Sequence, residues 1–169
     1  MLSKFYHRLP LLFLCVALAA VALLDTSCTK WQLRRANKNY TQQAYSRAAK
    51  KYVKVLPKLT RPQQPEVLFR LAESNRLVGN LQQAETYYSR ILRLAGDNVN
   101  PNVYLGLAKV QQQAEKYSLA VENYDRYLLL APLDSLHLSD RELCIALRDS
   151  TATATRYMVD NVRDFNSSK

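Results

Sequence analysis

The chain has 169 residues and a formal net charge of +10, with three glycines, three cysteines and two histidines. That length holds one domain with a sizeable core once any leader is removed, and so few glycines beside abundant Ala, Leu, Gln, Lys, Arg and Tyr favour helix over sheet. Cys15, Cys28 and Cys144 stand at no CxxC or metal-ligand spacing, which predicts neither a disulfide framework nor a bound metal or cofactor.

Residues 1–24 open with Lys4 and Arg8 and then run apolar from 9 to 24, interrupted only by Pro10. A membrane span needs about 20 such residues, so this shorter run has the length and flanks of a signal-peptide core, and export is predicted. A small residue before cysteine at the end of such a core, Ser27-Cys28, resembles a lipoprotein processing site. The resemblance implies a leader over 1–27, lipidation of Cys28 as the mature first residue, a short tether over 28–30 and residence at the periplasmic face of the outer membrane. Asp25 occupies the position three before the cysteine where leucine is usual and Leu24 lies one further back, but Ser27-Cys28 followed by the polar Thr29-Lys30 resembles the looser sites of Bacteroidota. Cleavage without lipidation and an uncleaved inner-membrane anchor are the alternatives.

The charge is not spread evenly. Between Thr26 and Pro65 there is no acidic residue, while ten basic ones fall there; from Glu66 onward twelve basic residues face thirteen acidic ones. The first predicted hairpin, residues 31–56, carries Ala48, Ala49, Tyr52, Val53 and Leu56 on one face of its second helix and the basic face Arg47, Lys50, Lys51 and Lys54 on the other. That basic face is read as a solvated surface or as attraction to an acidic partner or anionic head groups; no nucleic-acid motif accompanies it.

Prolines at 57, 62 and 65 separate this hairpin from a second, in which helix 66–78 turns at Gly79-Asn80 into helix 81–94, with Gly96 as its cap. After the segment 97–101 a third hairpin runs from Tyr104 to Pro132. Leu68, Leu71, Ala72, Leu81, Ala84, Tyr88 and Leu92 recur thirty-six residues later as Tyr104, Leu107, Ala108, Tyr117, Ala120, Tyr124 and Leu128. One step back the row reads Ala36, Tyr45, Ala48, Tyr52 and Leu56, so Ala48, Ala84 and Ala120 are three equivalent points where two helices must approach closely, as Gly106 also must.

This pattern resembles the tetratricopeptide repeat, with Gly79 and Pro132 at the family's turn and terminator positions. Glu115 and Gln43 stand where the turn glycine is usual, and the first unit lacks the large residue and leucine that open its first helix. The resemblance implies an all-α fold, a right-handed superhelix of three hairpins over 31–132 plus a capping helix over 133–158, with the first helix of each hairpin lining a groove. Counted from the repeat positions, Asn37, Tyr40, Phe69, Glu73, Arg76, Leu105, Lys109 and Gln112 face that groove and suit an extended acidic or amphipathic segment of a protein partner.

Asp134-Ser135 and Ser139-Asp140 both read as starts for the last helix, the second with Glu142 three residues beyond Ser139 as in a capping box, and His137 falls in the linker after Pro132. Leu138, Leu143, Ile145, Ala146 and Leu147 are expected to cover the open end of the array, with Cys144 as a small core residue among them. Residues 159–169 read as a link or tail, similar to the one that joins amino-terminal repeats to a propeller in OmpA-family lipoproteins of the Bacteroidota type IX secretion system.

No acid, base, nucleophile and metal set stands at workable spacing, and Glu73, Glu85, Glu115 and Glu122 read as solvated helix charges, so catalysis is not expected. The expected function is a non-enzymatic scaffold, lipid-anchored through Cys28, that binds another envelope protein and neither nucleic acid nor a small-molecule substrate. The alternatives are a spacer holding a distal peptidoglycan-binding module and a factor for outer-membrane barrel assembly.

Overall fold

The computed structural model describes residues 28–96 and 99–167. The expected leader over 1–27 lies outside the described residues, as do Asp97 and Asn98 of the second inter-repeat segment and Ser168 and Lys169 at the end of the expected tail. Among the described residues there are seven α-helices and no strand. They are α1 (28–41), α2 (Tyr45–Val55), α3 (Gln64–Leu77), α4 (Leu81–Ala95), α5 (Pro101–Gln113), α6 (Tyr117–Leu130) and α7 (Ser135–Ser167). The chain divides into two compact units, the first ending at Gln64 and the second beginning at Pro65.

The first unit is the hairpin α1–α2. Residues 28–30, expected as a tether, are helical, because nothing in Cys28-Thr29-Lys30 breaks a helix and the Gln32 amide donates to Cys28 Sγ at 3.3 Å across one turn. Ala36, Ala48 and Tyr52 are fully buried, with Val55 and Leu56 close behind. Val53, expected on the buried face, is half exposed, and Val55 takes its place because Ala48, Tyr52 and Val55 lie four and three residues apart on one row. Two 3-10 turns, Leu56–Lys58 and Arg61–Gln63, carry the prolines that end α2, and Thr60 with Gln63 forms a capping box there.

The second unit holds two hairpins, α3–α4 and α5–α6, and the long α7. Leu68, Leu71, Ala72, Ala84, Tyr88, Ala108, Val110, Ala120 and Tyr124 are fully buried. Asn100 caps α5 by accepting from the Asn102 amide at 3.0 Å, and Pro101 follows at a position whose N–H would have no helical partner.

Helix α7 departs from expectation at its far end. It starts at Ser135, the first of the two expected starts: Asp134 accepts from the His137 amide at 3.2 Å, while the Ser139 hydroxyl turns back to the Leu136 carbonyl at 2.7 Å. It then runs unbroken to Ser167, past the expected end at residue 158, for about 50 Å. No glycine or proline interrupts it, and Thr151, Thr153 and Thr155 bond back to carbonyls of the preceding turn. Its inner row is His137, Arg141, Cys144 and Ile145, with Cys144 fully buried among Ala108, Ala120, Val121 and Tyr124. Leu138, Leu143 and Ala146, expected in that cover, are exposed instead, because the Asp134 cap and the ion pair of Arg141 with Asp125 set the helix's rotation.

The three hairpin turns share one backbone. Gln43, Gly79 and Glu115 have φ of 58°, 83° and 59°. In each, that residue's amide bonds to the carbonyl three back and the next amide to the carbonyl five back: Tyr40 and Asn39, Arg76 and Asn75, Gln112 and Gln111. This is the paired bond of a Schellman turn, which favours glycine at the left-handed position. Non-glycine residues there cost about 1–2 kcal/mol in the folded chain, partly offset by glycine's greater freedom when unfolded. Gln43→Gly and Glu115→Gly should therefore each stabilise the protein by roughly 0.5–1 kcal/mol. A Cβ added at Gly79 would meet nothing within 4 Å, so Gly79→Ala should cost about 1 kcal/mol from conformation alone. Urea midpoints check all three, and unchanged values would contradict the shared turn.

Candidate functional site

The eight residues expected to line a groove divide between the units: Asn37 and Tyr40 in the first, the other six in the second. Within the second unit Phe69, Glu73 and Arg76 form one row of α3, at i, i+4 and i+7, and Leu105, Lys109 and Gln112 form the matching row of α5. All six are partly exposed, neither sealed in the core nor standing free in solvent.

Each of three of these positions also anchors a buried tyrosine of the helix that follows. The Tyr52 hydroxyl donates to Asn37 Oδ1 at 2.7 Å and the Tyr124 hydroxyl to Gln112 Oε1 at 2.7 Å. The Tyr88 hydroxyl donates to Glu73 Oε1 through a short bond. Glu73, expected as a solvated charge, accepts in addition from Arg76 Nε at 3.1 Å and Nη2 at 2.8 Å, so its carboxylate is fixed on both oxygens. Phe69 packs edge-on to Tyr88 with ring centroids 5.9 Å apart.

Burial pushes the Glu73 carboxyl up, but the hydrogen bonds from Arg76 and Tyr88 and the charges of Arg76 and Lys109 outweigh it and hold its pKa below the ordinary carboxylate value. Arg76 is held above its ordinary value, chiefly by the hydrogen bond to Glu73, and burial with the Glu73 charge raises Tyr88. The result is a strip carrying a locked Glu–Arg pair with aromatic and aliphatic neighbours. Lys109 forms no ion pair among the described residues, leaving its ammonium available to an incoming acidic group.

Glu85 is likewise no solvated charge. It accepts from Gln111 Nε2 at 3.2 Å and Lys116 Nζ at 2.7 Å, and the Asn123 amide donates to Gln111 Oε1 at 2.9 Å. This network ties α4 to the α5–α6 hairpin and was not foreseen: Glu85, Gln111, Lys116 and Asn123 are residue types that in sequence read as surface.

His137, expected in a linker, is buried in the first turn of α7, with its ring nitrogen Nδ1 2.7 Å from Asp134 Oδ2. The same oxygen accepts from the Tyr127 hydroxyl at 2.7 Å. This His–Asp–Tyr group ties a helix start to α6, with Asp134 as the N-cap. The hydrogen bonds from Tyr127 and His137 hold the Asp134 carboxyl down at about 2. A folded pKa below the unfolded one gives stability that is present above pH about 4 and lost as pH falls towards 2. Asp134→Asn should therefore lower helix content near neutral pH and flatten its acid dependence, which circular dichroism against pH will read.

In the first unit Arg47, Lys50 and Lys54 are exposed and Lys51 is half-buried, with no carboxylate anywhere between 26 and 65 to neutralise them. Cys28, the expected lipidation site, is exposed with a free thiol. Among the described residues no group of three or more His, Cys, Asp or Glu is placed to hold a metal, and no helix is long and apolar enough to cross a membrane.

Among solved structures the chain is similar to the MamA RS-1 ArsTM double mutant, at 16% identity and a TM-score of 0.65 over 72% of this chain and 66% of that one. It is similar to the first TPR domain of the human RPAP3 protein at 18% identity and a TM-score of 0.63, over 74% of this chain and 95% of that one. The first TPR of Spaghetti (RPAP3) bound to the HSP90 peptide SRMEEVD matches at 19% identity and a TM-score of 0.60, over 75% and 93%. At these identities the likeness shows the fold: the chain has the all-α architecture of tetratricopeptide hairpins, and it spans just under two thirds of the first of these structures. No protein-family model and no curated protein matches it.

Proposed function

We propose that the chain is a non-enzymatic docking scaffold that receives an extended acidic or amphipathic segment of an envelope protein along the α3 and α5 rows. The observation that carries this reading is the strip itself: Glu73 and Arg76 are fixed by Tyr88 and by each other, and Lys109, Leu105 and Gln112 lie partly open beside them. Groups locked before a partner arrives lose little freedom on binding, which favours affinity. The repeat of RPAP3 holds a peptide that reads SRMEEVD, and the proposal places a comparable acidic segment here. The leader and Cys28 support anchoring to the outer membrane through a lipid, facing the periplasm, and the resemblance of the sequence supports type IX secretion or gliding machinery as the setting.

A photo-crosslinking residue placed at Leu105 or Gln112 in intact cells should give one discrete adduct with an envelope protein, and none at the exposed Gln82 of α4 or Glu122 of α6. Adducts from Gln82 and Glu122 alone would put the docking face elsewhere. The mass of the mature amino terminus tests the anchor separately: an unmodified Cys28 or a retained leader rejects it.

A further inference from the structure

The first unit holds a cleft of about 540 Å³ lined by Trp31, Gln32, Arg35, Lys51, Lys54, Val55 and Lys58. Trp31, the only tryptophan of the chain, is 56% exposed. The Arg35 guanidinium lies over its ring at 4.6 Å, and Lys58 Nζ is held by Gln32 Oε1 at 3.3 Å. About one helical turn before Trp31, on the same helix, is the exposed Cys28.

We propose that this cleft seats the phosphate headgroups of an anionic lipid surface, with the indole of Trp31 at the level of the headgroups and the α1–α2 hairpin lying against the bilayer. An indole has an apolar body and one polar N–H, which suits a water–lipid boundary better than open water. Arg35, Lys51, Lys54 and Lys58 supply charged donors to phosphate oxygens around it. The cations of this unit extend beyond the cleft, from Lys30 on α1 to Arg61 after α2, with no acid among them. A field of one sign spread over both helices matches a charged plane better than the single line of an acidic peptide. The proposal takes from the preceding reading only which bilayer is met; headgroup binding itself does not require Cys28 to be acylated.

The test uses the intact chain with Cys28→Ser, so that no acyl chain contributes, and vesicles of phosphatidylcholine alone or mixed with phosphatidylglycerol. Trp31 emission reports on the cleft directly, since no other tryptophan is present. It should shift to the blue and be quenched by brominated lipid far more with the anionic vesicles, and added salt should diminish that preference. Lys51→Gln with Lys54→Gln should lower the ratio of anionic to neutral binding by about 25-fold, taking each such charge as worth roughly fivefold. The leader is common to both chains and drops out of that comparison, and circular dichroism confirms that the variant keeps its helices. An equal response to neutral vesicles, or a ratio unchanged by the two substitutions, overturns the proposal. So does emission that moves with a soluble acidic peptide or an oligonucleotide but not with vesicles. An unacylated Cys28 in cells would remove the anchor and leave this result standing.

Discussion

Replacing Gly106 by alanine should destabilise the protein by about 2 kcal/mol, although helix propensity alone predicts a gain of up to 1 kcal/mol at a helix-interior position. The sign is decided by packing. A Cβ at Gly106 would lie 2.4 Å from Cζ and from the hydroxyl oxygen of Tyr88, far inside contact distance. Tyr88 is fully buried, its hydroxyl is bonded to Glu73, and its ring is flanked by Phe69, so it cannot swing aside without giving up that bond and opening a void. Tyr88→Leu, costly alone, should become partly compensated in the Gly106→Ala background, because it removes the atoms that collide. Urea unfolding of the two single variants and the double variant measures this coupling, and simple additivity would contradict the close approach of α4 and α5.

The second large effect is expected at the alanines of the second helices. Ala48, Ala84 and Ala120 are each 0% exposed. Ala120 sits in the cluster of Ala108, Val121, Tyr124 and Cys144, against Leu105, Tyr117 and Ile145. Leucine has nearly alanine's helix propensity and greater hydrophobicity, so transfer energies alone predict that Ala120→Leu stabilises. Three added carbons have no space between α5, α6 and α7, and overpacking of this kind costs about 1–3 kcal/mol or more. Ala48→Leu and Ala84→Leu should lose stability for the same reason. Ala146→Leu on the outer face of α7 should change it by less than about 0.5 kcal/mol. Thermal unfolding of the four variants tests the set, and a buried variant as stable as the Ala146 one would show that its alanine is not a contact point.

The repeat was legible because its spacing survives where individual residues do not. Small residues recur every thirty-six positions where helices touch, and burial leaves no freedom to vary them. Even where glycine is missing, Gln43 and Glu115 take the backbone of Gly79: the turn is set by the two hydrogen bonds that close it, and the residue type only adjusts its cost. What stayed hidden were the side-chain ties. Glu73 and Glu85 have the spacing of solvated charges, and nothing in the sequence alone says that Tyr88 points at one or Gln111 at the other. The rotation of α7 was misread for a similar reason. Leucines on several faces leave the choice open, and Asp134, Arg141 and Cys144 decide it through three contacts with α6 or its cluster. The groove rows were placed by counting from the repeat, but which of their groups are already engaged internally could only come from the fold.

A partner that docks on the strip of α3 and α5 must feel changes to its open residues. Calorimetric titration of the crosslinked partner, purified, against the wild type and against Lys109→Glu with Leu105→Ala is the direct measurement. Both residues are partly exposed and neither holds a buried tyrosine, so the variant should keep its helices while binding weakens by at least about 30-fold, the loss of one central hot spot. The same affinity for both proteins, with helix content unchanged, would contradict the assignment.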